Sequence, residues 1–482
     1  MSKVQAQLLA PRFHILGPGG IGSLFAYYFH QHHIPFTFFQ RRAPPPTSQL
    51  QIGTDGANRT IRNGDYIGGS NIISGKDKST IEAYPPTTLK YMNLTALDKA
   101  SVEPQVIDGL NWEPLYPIID KELFRCDPVY NELSRSPIHQ LLVTTKTYQT
   151  VDAISKIRHR LRPWTTIVLM QNGMGVREEI CESMGWTDEA ERPNFVQGII
   201  SHGAQKTDDT IVHTGKGQVW LAPIVDSLSR SASGSASTTP CISDMLQQLD
   251  NKSFLPILVR PAKDILSTPY PFTSPAPFIA PFTNAPFSTL YPKPSSSKEL
   301  RALRTRSLYE TLAAFQQLSE AMELHILTPD HLLTRQFSKL IVNACVNPVA
   351  TLLEATNGTL LDSAQANQAV KDLLKESHSI LSHSKDVQSL DKKLRQRYLT
   401  LETLTKTTEG ILKATRQNRC STLQDYLRGS QECEIEYMNG YLIKMAERNR
   451  DLAGGSTAGE VAPLNRMVTE KIKEKFERQG RP

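Results

Sequence analysis

The sequence predicts an α/β domain that is followed by an all-helical domain. Apolar stretches of strand length alternate with helical patterns as far as Thr328. A glycine-rich turn stands between a strand-like and a helix-like stretch near the start of the chain. Beyond Thr328 the apolar residues recur at helical spacing, and no strand pattern competes with it. At 482 residues the chain is long enough for two such domains.

The glycine-rich turn connects the first two elements. Residues 12–16 (RFHIL) are typical of a buried strand, and a helical pattern follows residue 22. The turn itself reads Gly17-Pro18-Gly19-Gly20-Ile21-Gly22 and fits the motif G-x-G-x-x-G. Gly17 permits a tight bend, Gly19 lets the main chain approach a pyrophosphate, and Gly22 allows close packing of helix on strand. Since free N–H groups at a helix start hold phosphates, this stretch predicts a Rossmann-type dinucleotide-binding domain.

The second strand, 36–40, indicates which dinucleotide is preferred. It is followed by Arg41 and Arg42, where a protein that binds NAD usually carries an acidic residue for the ribose 2′-hydroxyl. Arginine suits a 2′-phosphate through charge-assisted hydrogen bonds, and no acidic residue precedes Asp55. The pattern favours NADP(H) over NAD(H), with a solvated basic loop as the alternative.

Two polar residues follow later strands of the same predicted domain. Lys146 comes after the strand 141–145, and Asn172 comes after the strand 165–171. Because the carboxyl ends of parallel strands line the ligand crevice, both residues are expected to contact cofactor or substrate. Further strands are predicted at 196–204 and 210–223, with His202 as a packed histidine rather than a base. A helix at 307–324 ends the domain.

Two insertions interrupt this domain. Residues 43–138 are rich in turn signals, so only one or two sheet elements are expected there. Residues 225–300 contain a Ser-rich and a Pro-rich stretch and are predicted to be largely disordered. The sequence therefore predicts a first domain at 1–326 and a helical domain at 327–482.

Composition narrows the functional class. The net charge is +6, and no dense Lys/Arg run argues for nucleic acid. The six cysteines show no metal-binding spacing, so no metal is expected and a reducing compartment is favoured. No apolar run has the length of a membrane span, and no signal-peptide core is visible. These features predict a cytoplasmic protein, with the mitochondrion as second choice.

The helical domain begins with an unusual edge. Thr328 is predicted as N-cap, with Pro329 at the first helical position. Lys339, Asn343 and Asn347 follow at intervals of four residues, which places them on one edge beside an apolar stripe. Spacing alone favours a solvated helix edge. Pro348 is expected to end or kink this helix, because proline disfavours helical geometry in the residue before it.

The remaining helices are predicted from periodicity, and two polar stretches lie among them. One stretch is 418–425 (NRCSTLQD), in which Ser421 is a candidate N-cap. The other is 434–440 (EIEYMNG), which leaves Glu434 on the flank of a buried helix face. Taken alone, they indicate a cap and a solvated glutamate. The predicted helices cover 329–347, 362–382, 388–413, 420–428, 432–450 and 464–479.

Taken together, these segments resemble the ketopantoate reductases (2-dehydropantoate 2-reductases). The matching stretches occur in the family's order and cover most of the chain outside the two insertions. They are GPGGIG, Arg41, LLVTTKTYQ, QNGMG, QGIISHGA, KLIVNACVNP with the following NG, NRCSTLQD and EIEYMNG. The resemblance implies a Rossmann-type domain followed by an all-α domain like the C-terminal domain of 6-phosphogluconate dehydrogenase.

The resemblance also implies roles for individual residues. Lys339 would be the proton donor in the reduction of 2-dehydropantoate by NADPH to pantoate, a step of pantothenate and coenzyme A biosynthesis. The keto acid would be held by Asn343, Asn347, Asn357, Asn418 and Ser421. NADPH would be contacted by Gly17, Pro18, Gly19, Gly20, Ile21, Gly22, Arg41, Lys146, Asn172, Ala204 and Glu434. An additional residue appears before Glu434 relative to the family pattern.

The sequence leaves two other functions open. One is an NADPH-dependent reductase of another 2-oxo acid, and the other is a non-catalytic interaction protein on the same fold. The expected partner is a small-molecule 2-oxo acid, with no nucleic acid and no membrane. A homodimer and a protein partner bound by the Ser/Pro-rich insertion are further alternatives.

Overall fold

The computed structural model describes residues 13–40, 137–188, 191–207, 210–224, 294–452 and 461–479, together with six strands between 48 and 114. Arg41 and the Ser/Pro-rich stretch lie outside the described residues. The chain forms two compact units. The first comprises 1–145, 152–170 and 184–326, and the second comprises 146–151, 171–183 and 327–482. Two short segments that the sequence assigns to the first domain therefore pack with the helical unit.

The elements that precede residue 327 are fifteen strands and four α-helices within the described residues. The helices that begin before residue 327 are α1 (Gly20–Gln31), α2 (Thr147–Ile157), α3 (Val176–Met184) and α4 (Ser297–Gln316). The strands are β1 (Phe13–Leu16), β2 (Phe36–Gln40), β3 (Ser48–Gln51), β4 (Ile72–Ser74), β5 (Thr80–Ala83), β6 (Thr87–Asn93), β7 (Gln105–Leu110), β8 (Trp112–Pro114), β9 (Gln140–Val143), β10 (Thr166–Leu169), β11 (Asn194–Ile200), β12 (Gly203–Thr207), β13 (Thr210–Gly215), β14 (Val219–Pro223) and β15 (Leu324–Ile326).

The main sheet has the order β15-β14-β11-β10-β9-β1-β2-β8. Its neighbours are parallel except for the pair β11–β14. The chain runs outward from β1 to β2 and then returns to place β9 on the other side of β1. The strand order thus reverses at β1/β9, the kind of position at which open α/β sheets bind ligands. The predicted Rossmann-type fold is confirmed.

Aromatic residues join α1 and α4 to the main sheet. Phe13 of β1 lies 4.8 Å from Phe29 and 5.5 Å from Phe315, ring centroid to ring centroid. Phe25 packs on Phe315 as well, at 5.7 Å and in an edge-on arrangement. These side chains are buried, and the loss of one such ring typically costs about 3–5 kcal/mol. This packing positions the glycine-rich turn, because the turn joins β1 to α1.

The stretch 43–138 contains more strand than the sequence indicates. Instead of one or two sheet elements it holds six strands, β3 to β8. β8 extends the main sheet beside β2, while β6 and β7 form a second sheet with β12 and β13. The third sheet has the order β3-β5-β4. Strands of three to seven residues between turn residues produce little periodicity, so they escape a pattern-based prediction.

The second unit is helical, as predicted. After α5 (Pro329–Leu352), its elements are α6 (Asn357–Asp362), α7 (Ala364–Ser382), α8 (Lys385–Gln388), α9 (Lys392–Tyr398), α10 (Leu401–Ala414), α11 (Ser421–Leu427), a 3₁₀ turn (Glu434–Tyr437), α12 (Asn439–Leu452) and α13 (Pro463–Gln479). The core of this unit is built around α5, whose buried residues include Phe337, Ile341 and Cys345. None of the helices in the described residues is long and apolar enough to cross a membrane.

The helix predicted at 307–324 is α4 (Ser297–Gln316), and in the second unit three predicted helix boundaries are wrong for identifiable reasons. The helix 388–413 is two helices, because Asp391 caps α9 and Thr400 caps α10 by accepting main-chain N–H groups. The helix 432–450 is divided into a 3₁₀ turn and α12. Pro348 does not end α5, which continues to Leu352. Thr328 is the N-cap residue of α5, as predicted, although its side chain makes no capping hydrogen bond.

Candidate active site

The glycine-rich turn of the first unit requires glycine at two positions. Gly17 has φ +108°, and a Cβ there would lie 2.6 Å from the main-chain nitrogen of Thr145. A Cβ on Gly22 would overlap the carbonyl oxygen of Gly17 and lie 2.5 Å from Thr144 Oγ1. Thr144 Oγ1 donates a hydrogen bond of 2.7 Å to that carbonyl. The turn and the end of β9 therefore pack main chain on main chain, which only glycine permits.

Gly19 is the exposed part of the turn. A Cβ on it would meet no atom within 4 Å, so the space beside its main chain is open. Gly19 is also the N-cap residue of α1, whose first turn carries no acidic residue. Unpaired N–H groups and the helix dipole favour an anion at such a position. The turn thus fits a dinucleotide pyrophosphate.

Three further residues lie at the turn. A Cβ on Gly20 would lie 2.8 Å from the carbonyl carbon of Ala204, so β12 packs against the turn. Lys206, on the same strand, donates from Nζ to the carbonyl oxygen of Pro18 at 3.1 Å. Ile21 is partly buried against the core of the first unit. Lys206 was missed in the sequence, because a single lysine between the predicted strands 196–204 and 210–223 carries no signal.

Lys339 lies in the middle of α5 and is partly buried. Its Nζ donates a hydrogen bond of 3.0 Å to Asn172 Oδ1. Burial lowers the pKa of the Lys339 ammonium from 10.5 to about 8, although the nearby Glu434 carboxylate acts in the opposite direction. An amine with this pKa exchanges its proton readily near neutral pH.

Asn172 connects Lys339 to Glu434. The Asn172 amide donates from Nδ2 to Glu434 Oε2 at 3.1 Å, while its Oδ1 accepts from Lys339. The other carboxylate oxygen of Glu434 accepts from the main-chain nitrogen of Thr147 at 3.1 Å and lies 2.8 Å from Thr147 Oγ1. Glu434 is only 4% exposed, so the solvated glutamate expected from its position in the sequence is wrong. These partners determine the orientation of the Asn172 amide, because the Lys339 ammonium can only donate to Oδ1 and the Glu434 carboxylate accepts from Nδ2.

Lys146 forms an ion pair within the same unit. Its Nζ lies 2.6 Å from Asp425 Oδ2, and the Asp425 carboxylate is buried. Burial raises the pKa of Asp425, and the Lys146 ammonium partly offsets this effect. Asp425 and Thr147 were not recognised as site residues from the sequence. Thr147 directly follows the predicted Lys146, and Asp425 ends the stretch 418–425 that contains Asn418 and Ser421, so only proximity in sequence marked them.

The loop 172–175 is held against the 3₁₀ turn that carries Glu434. Met174 N donates to Tyr437 O at 2.9 Å, and Tyr437 Oη donates to Glu179 Oε2 at 2.8 Å. Gly173 has φ +79°, and a Cβ there would overlap Tyr437 O and lie 2.7 Å from Tyr437 Cβ. These contacts keep Asn172 and Glu434 together.

The two asparagines that follow Lys339 differ in their surroundings. Asn343 is partly buried, and its side chain makes no hydrogen bond with any of the residues that the structure describes. Asn347 is 4% exposed, with Nδ2 3.4 Å from Thr422 Oγ1 and 3.7 Å from Met438 Sδ. Asn343 can therefore bind a ligand without breaking a protein contact, whereas Asn347 is already engaged.

The remaining predicted substrate residues form a separate group. Asn357 N donates to Asn418 O at 2.9 Å, and Asn357 Nδ2 donates to Thr415 Oγ1 at 2.8 Å. The buried Asn357 Oδ1 has no hydrogen-bond partner among the described residues. Asn418 and Ser421 are exposed. No hydrogen bond within the described part of the chain joins this group to Lys339 or Asn172.

Ser421 is not the helix cap that its position in the sequence suggests. α11 begins at Ser421, and its N-cap residue is Cys420, whose Sγ accepts from Leu423 N at 3.4 Å. The Ser421 hydroxyl is thus not used as a cap. His202 is buried, with Nε2 2.9 Å from Met322 O, as expected for a packed histidine. No metal-binding cluster is present among the residues described.

A Rossmann-type sheet with an open glycine turn and a helical unit with a partly buried lysine are typical of dinucleotide-dependent oxidoreductases. The family model described as "Ketopantoate reductase PanE/ApbA" matches residues 116–226. Its partner, "Ketopantoate reductase PanE/ApbA C terminal", matches residues 331–476. The chain belongs to the ketopantoate reductase family.

Individual relatives agree with this assignment. The chain is 25% identical over 324 residues to a "Probable 2-dehydropantoate 2-reductase" of Schizosaccharomyces pombe, covering 66% of this chain and 71% of the relative. It is 24% identical over 367 residues to "2-dehydropantoate 2-reductase" of Saccharomyces cerevisiae, covering 72% and 79%. A solved D-mandelate dehydrogenase with NADH and anilino(oxo)acetate shares the fold, with a TM-score of 0.53, 13% identity, and coverage of 98% and 100%.

Proposed function

We propose that the protein catalyses the NADPH-dependent reduction of 2-dehydropantoate to (R)-pantoate, a step of pantothenate and coenzyme A biosynthesis. The observation that carries this proposal is Lys339, whose ammonium is held by Asn172 and has its pKa lowered to about 8. A 2-oxo acid carries a ketone oxygen that becomes negative during reduction. An ammonium beside that oxygen stabilises the charge and supplies the proton.

NADPH, when bound, supplies the hydride for C2 of the keto acid. Gly17 to Gly22 would hold its pyrophosphate, and Arg41 would bind the 2′-phosphate. Asn172 keeps the Lys339 amine in place with its Oδ1, and Glu434 holds Asn172 in the orientation that this bond requires. Thr147 in turn fixes Glu434 through its main-chain nitrogen.

Asn343 is our candidate for holding the carboxylate or hydroxyl of the keto acid. It lies one helical turn from Lys339, and within the described part of the chain its amide has no partner to give up. An amide binds a carboxylate without adding a titrating group, so Lys339 remains the group whose proton moves. Asn347, Asn357, Asn418 and Ser421 are proposed to complete the substrate site.

One assay distinguishes this function from its alternatives. NADPH oxidation is measured with 2-dehydropantoate and with a panel of other 2-oxo acids, including branched and aromatic ones. A preference for 2-dehydropantoate by at least a factor of ten in kcat/KM supports the proposal. A better substrate elsewhere in the panel would identify a different 2-oxo acid reductase, and activity on none of the acids would favour an interaction protein.

The variant Lys339→Ala tests the role of the lysine. We expect kcat to fall by several powers of ten, since the general acid and the charge beside the ketone oxygen are both removed. The dissociation constant of NADPH, measured by quenching of intrinsic fluorescence, should change little. As a control, Lys216→Ala removes a lysine that pairs with Glu323 in the first unit. Near-normal turnover in Lys339→Ala would refute the assignment.

A further inference from the structure

Pro348 lies within α5, four residues before the helix ends at Leu352. In an α-helix the carbonyl of residue 344 accepts from the N–H of residue 348, and proline has no N–H. The carbonyl of Ala344 is thus deprived of its partner inside the helix. Ala344 is fully buried, so water does not replace the missing donor readily.

Asn439 supplies the missing donor. Its Nδ2 donates a hydrogen bond of 2.9 Å to the carbonyl oxygen of Ala344. The same nitrogen donates to Asn465 Oδ1, also at 2.9 Å. The Asn439 side chain is fully buried, and both N–H groups of its amide are used. Because Ala344 O can only accept, the nitrogen rather than the oxygen of the Asn439 amide must face it.

A buried polar chain holds Asn439 in this position. Asn465 Nδ2 donates to Glu376 Oε1 at 2.8 Å and lies 3.3 Å from Ser377 Oγ. The carboxylate of Glu376 also accepts from the main-chain nitrogens of Leu464 and Asn465, at 3.0 and 2.8 Å. α7, α12 and α13 are therefore joined to the carbonyl that Pro348 leaves open.

We propose that Asn439 is a positioning residue for the reductase reaction. By replacing the lost N–H, it keeps α5 continuous through Pro348 and so fixes the helix edge that carries Lys339, Asn343 and Asn347. Asn439 also begins α12 directly after the turn that contains Glu434. One side chain thus sets the helix of the proton donor relative to the carboxylate that orients Asn172. The catalytic part of this inference rests on the proposed function.

The alternative is that Asn439 is merely part of a packed core, and a rescue experiment separates the two. Pro348→Ala restores an N–H that can reach the carbonyl of Ala344. We measure Asn439→Ala, Pro348→Ala and the double variant in the full chain. Asn439→Ala should lower kcat at least tenfold while the NADPH dissociation constant stays within twofold. The double variant should regain most of the lost kcat, and Pro348→Ala alone should behave like the wild type.

A matched control lies on the same helix. Asn449 Nδ2 donates at 2.9 Å to the carbonyl of Ile380 near the end of α7, where Ser384 N donates to Leu381 O and no proline is involved. The loss in denaturation midpoint caused by Asn449→Ala should not be recovered by Pro348→Ala. Pro348→Ala should recover the part of the Asn439→Ala loss that comes from the Ala344 carbonyl, while the lost bond to Asn465 Oδ1 is not restored.

The denaturation midpoint distinguishes failure of this inference from failure of the proposed function. Suppose that Pro348→Ala restores the denaturation midpoint of Asn439→Ala but the wild type reduces no keto acid. The structural coupling of Asn439 to Pro348 would then be supported, and the proposed reductase function would be refuted. If Asn439→Ala does not fold but the double variant does, this coupling is supported. A midpoint and a kcat that Pro348→Ala does not restore would overturn it.

Discussion

At the scale of single residues, Lys339 is the candidate proton donor, and its surroundings lower its pKa strongly. A free lysine keeps its proton up to about pH 10.4, whereas burial brings the pKa of Lys339 to about 8. The proton donor must start out protonated, so activity is present below this pKa and is lost as the pH rises through it. We expect kcat/KM to fall about tenfold per pH unit above about pH 8.

The variant Glu434→Gln tests which groups determine the loss of kcat/KM at alkaline pH, the alkaline limb of the pH profile. The Glu434 carboxylate raises the pKa of Lys339 against the effect of burial. Glu434→Gln removes the negative charge and should shift the alkaline limb of the pH profile to lower pH. The profile is recorded with saturating NADPH, and Glu436→Gln, which removes a partly exposed carboxylate two residues away, is the control. A limb that stays in place or moves to higher pH would contradict this electrostatic account.

Arg41 is the residue on which the choice between the two dinucleotides should depend. Arginine binds a phosphate through bidentate hydrogen bonds, and NADH has no 2′-phosphate. Arg41→Ala is therefore expected to raise the KM for NADPH at least tenfold and to leave the KM for NADH nearly unchanged. An equal increase for both cofactors would show that Arg41 does not bind the 2′-phosphate. The alternative reading as a solvated basic loop predicts no change.

Sequence spacing predicts some of the site residues but not the contacts between them. Lys339, Asn343 and Asn347 follow from an interval of four residues, and spacing alone indicates only a solvated edge. The bond from Lys339 to Asn172 joins residues 167 positions apart, and the bond from Asn172 to Glu434 spans 262. Such contacts depend on the folded arrangement of distant elements, and no local pattern contains them. The family resemblance identifies these residues as site residues but does not show which of them are hydrogen-bonded to each other.

At the scale of elements, the loop 172–175 and the 3₁₀ turn at Glu434–Tyr437 act together. Gly173 and Gly429 form a natural pair for testing this, because their φ angles are +79° and +78°. A Cβ on Gly173 would overlap Tyr437 O, whereas a Cβ on Gly429 would meet no atom within 4 Å. Alanine at either position carries the strain of a left-handed conformation, about 1 kcal/mol.

We expect Gly173→Ala to reduce the free energy of unfolding by about 1–3 kcal/mol more than Gly429→Ala. The extra loss reflects the steric overlap, and it should be accompanied by a lower kcat because Asn172 is displaced. Chemical denaturation and steady-state kinetics of the two variants measure both effects. Equal destabilisation would mean that the loop does not need to approach Tyr437.

The helix boundaries show where local sequence patterns fail to predict the structure. Strong caps at Asp391 and Thr400 divided a helix that periodicity alone had joined. Conversely, a proline that should have ended α5 is tolerated, because a side chain distant in sequence provides the missing hydrogen bond. The first kind of error can be corrected by reading cap residues more closely. The second cannot, since Asn439 is 95 residues away from Ala344.

At the scale of the whole molecule, a bound cofactor should stabilise the folded chain by mass action. A ligand that binds only the folded state contributes about 2.7 kcal/mol when present at a hundred times its dissociation constant. Gly19 allows this contribution to be separated from folding itself. Its main chain faces open space, it has no positive φ, and it lies where the pyrophosphate is proposed to bind.

We therefore expect Gly19→Val to melt within about two degrees of the wild type without ligand but to lose most of the NADPH-induced rise in Tm, because the added side chain occupies the phosphate site. Differential scanning fluorimetry over a series of NADPH concentrations measures both quantities. Gly410→Val is the control, since Gly410 also faces open space but lies on α10 in the helical unit, and its NADPH-induced rise should be unchanged. If Gly19→Val kept the full rise, the glycine-rich turn would not be the site of phosphate binding.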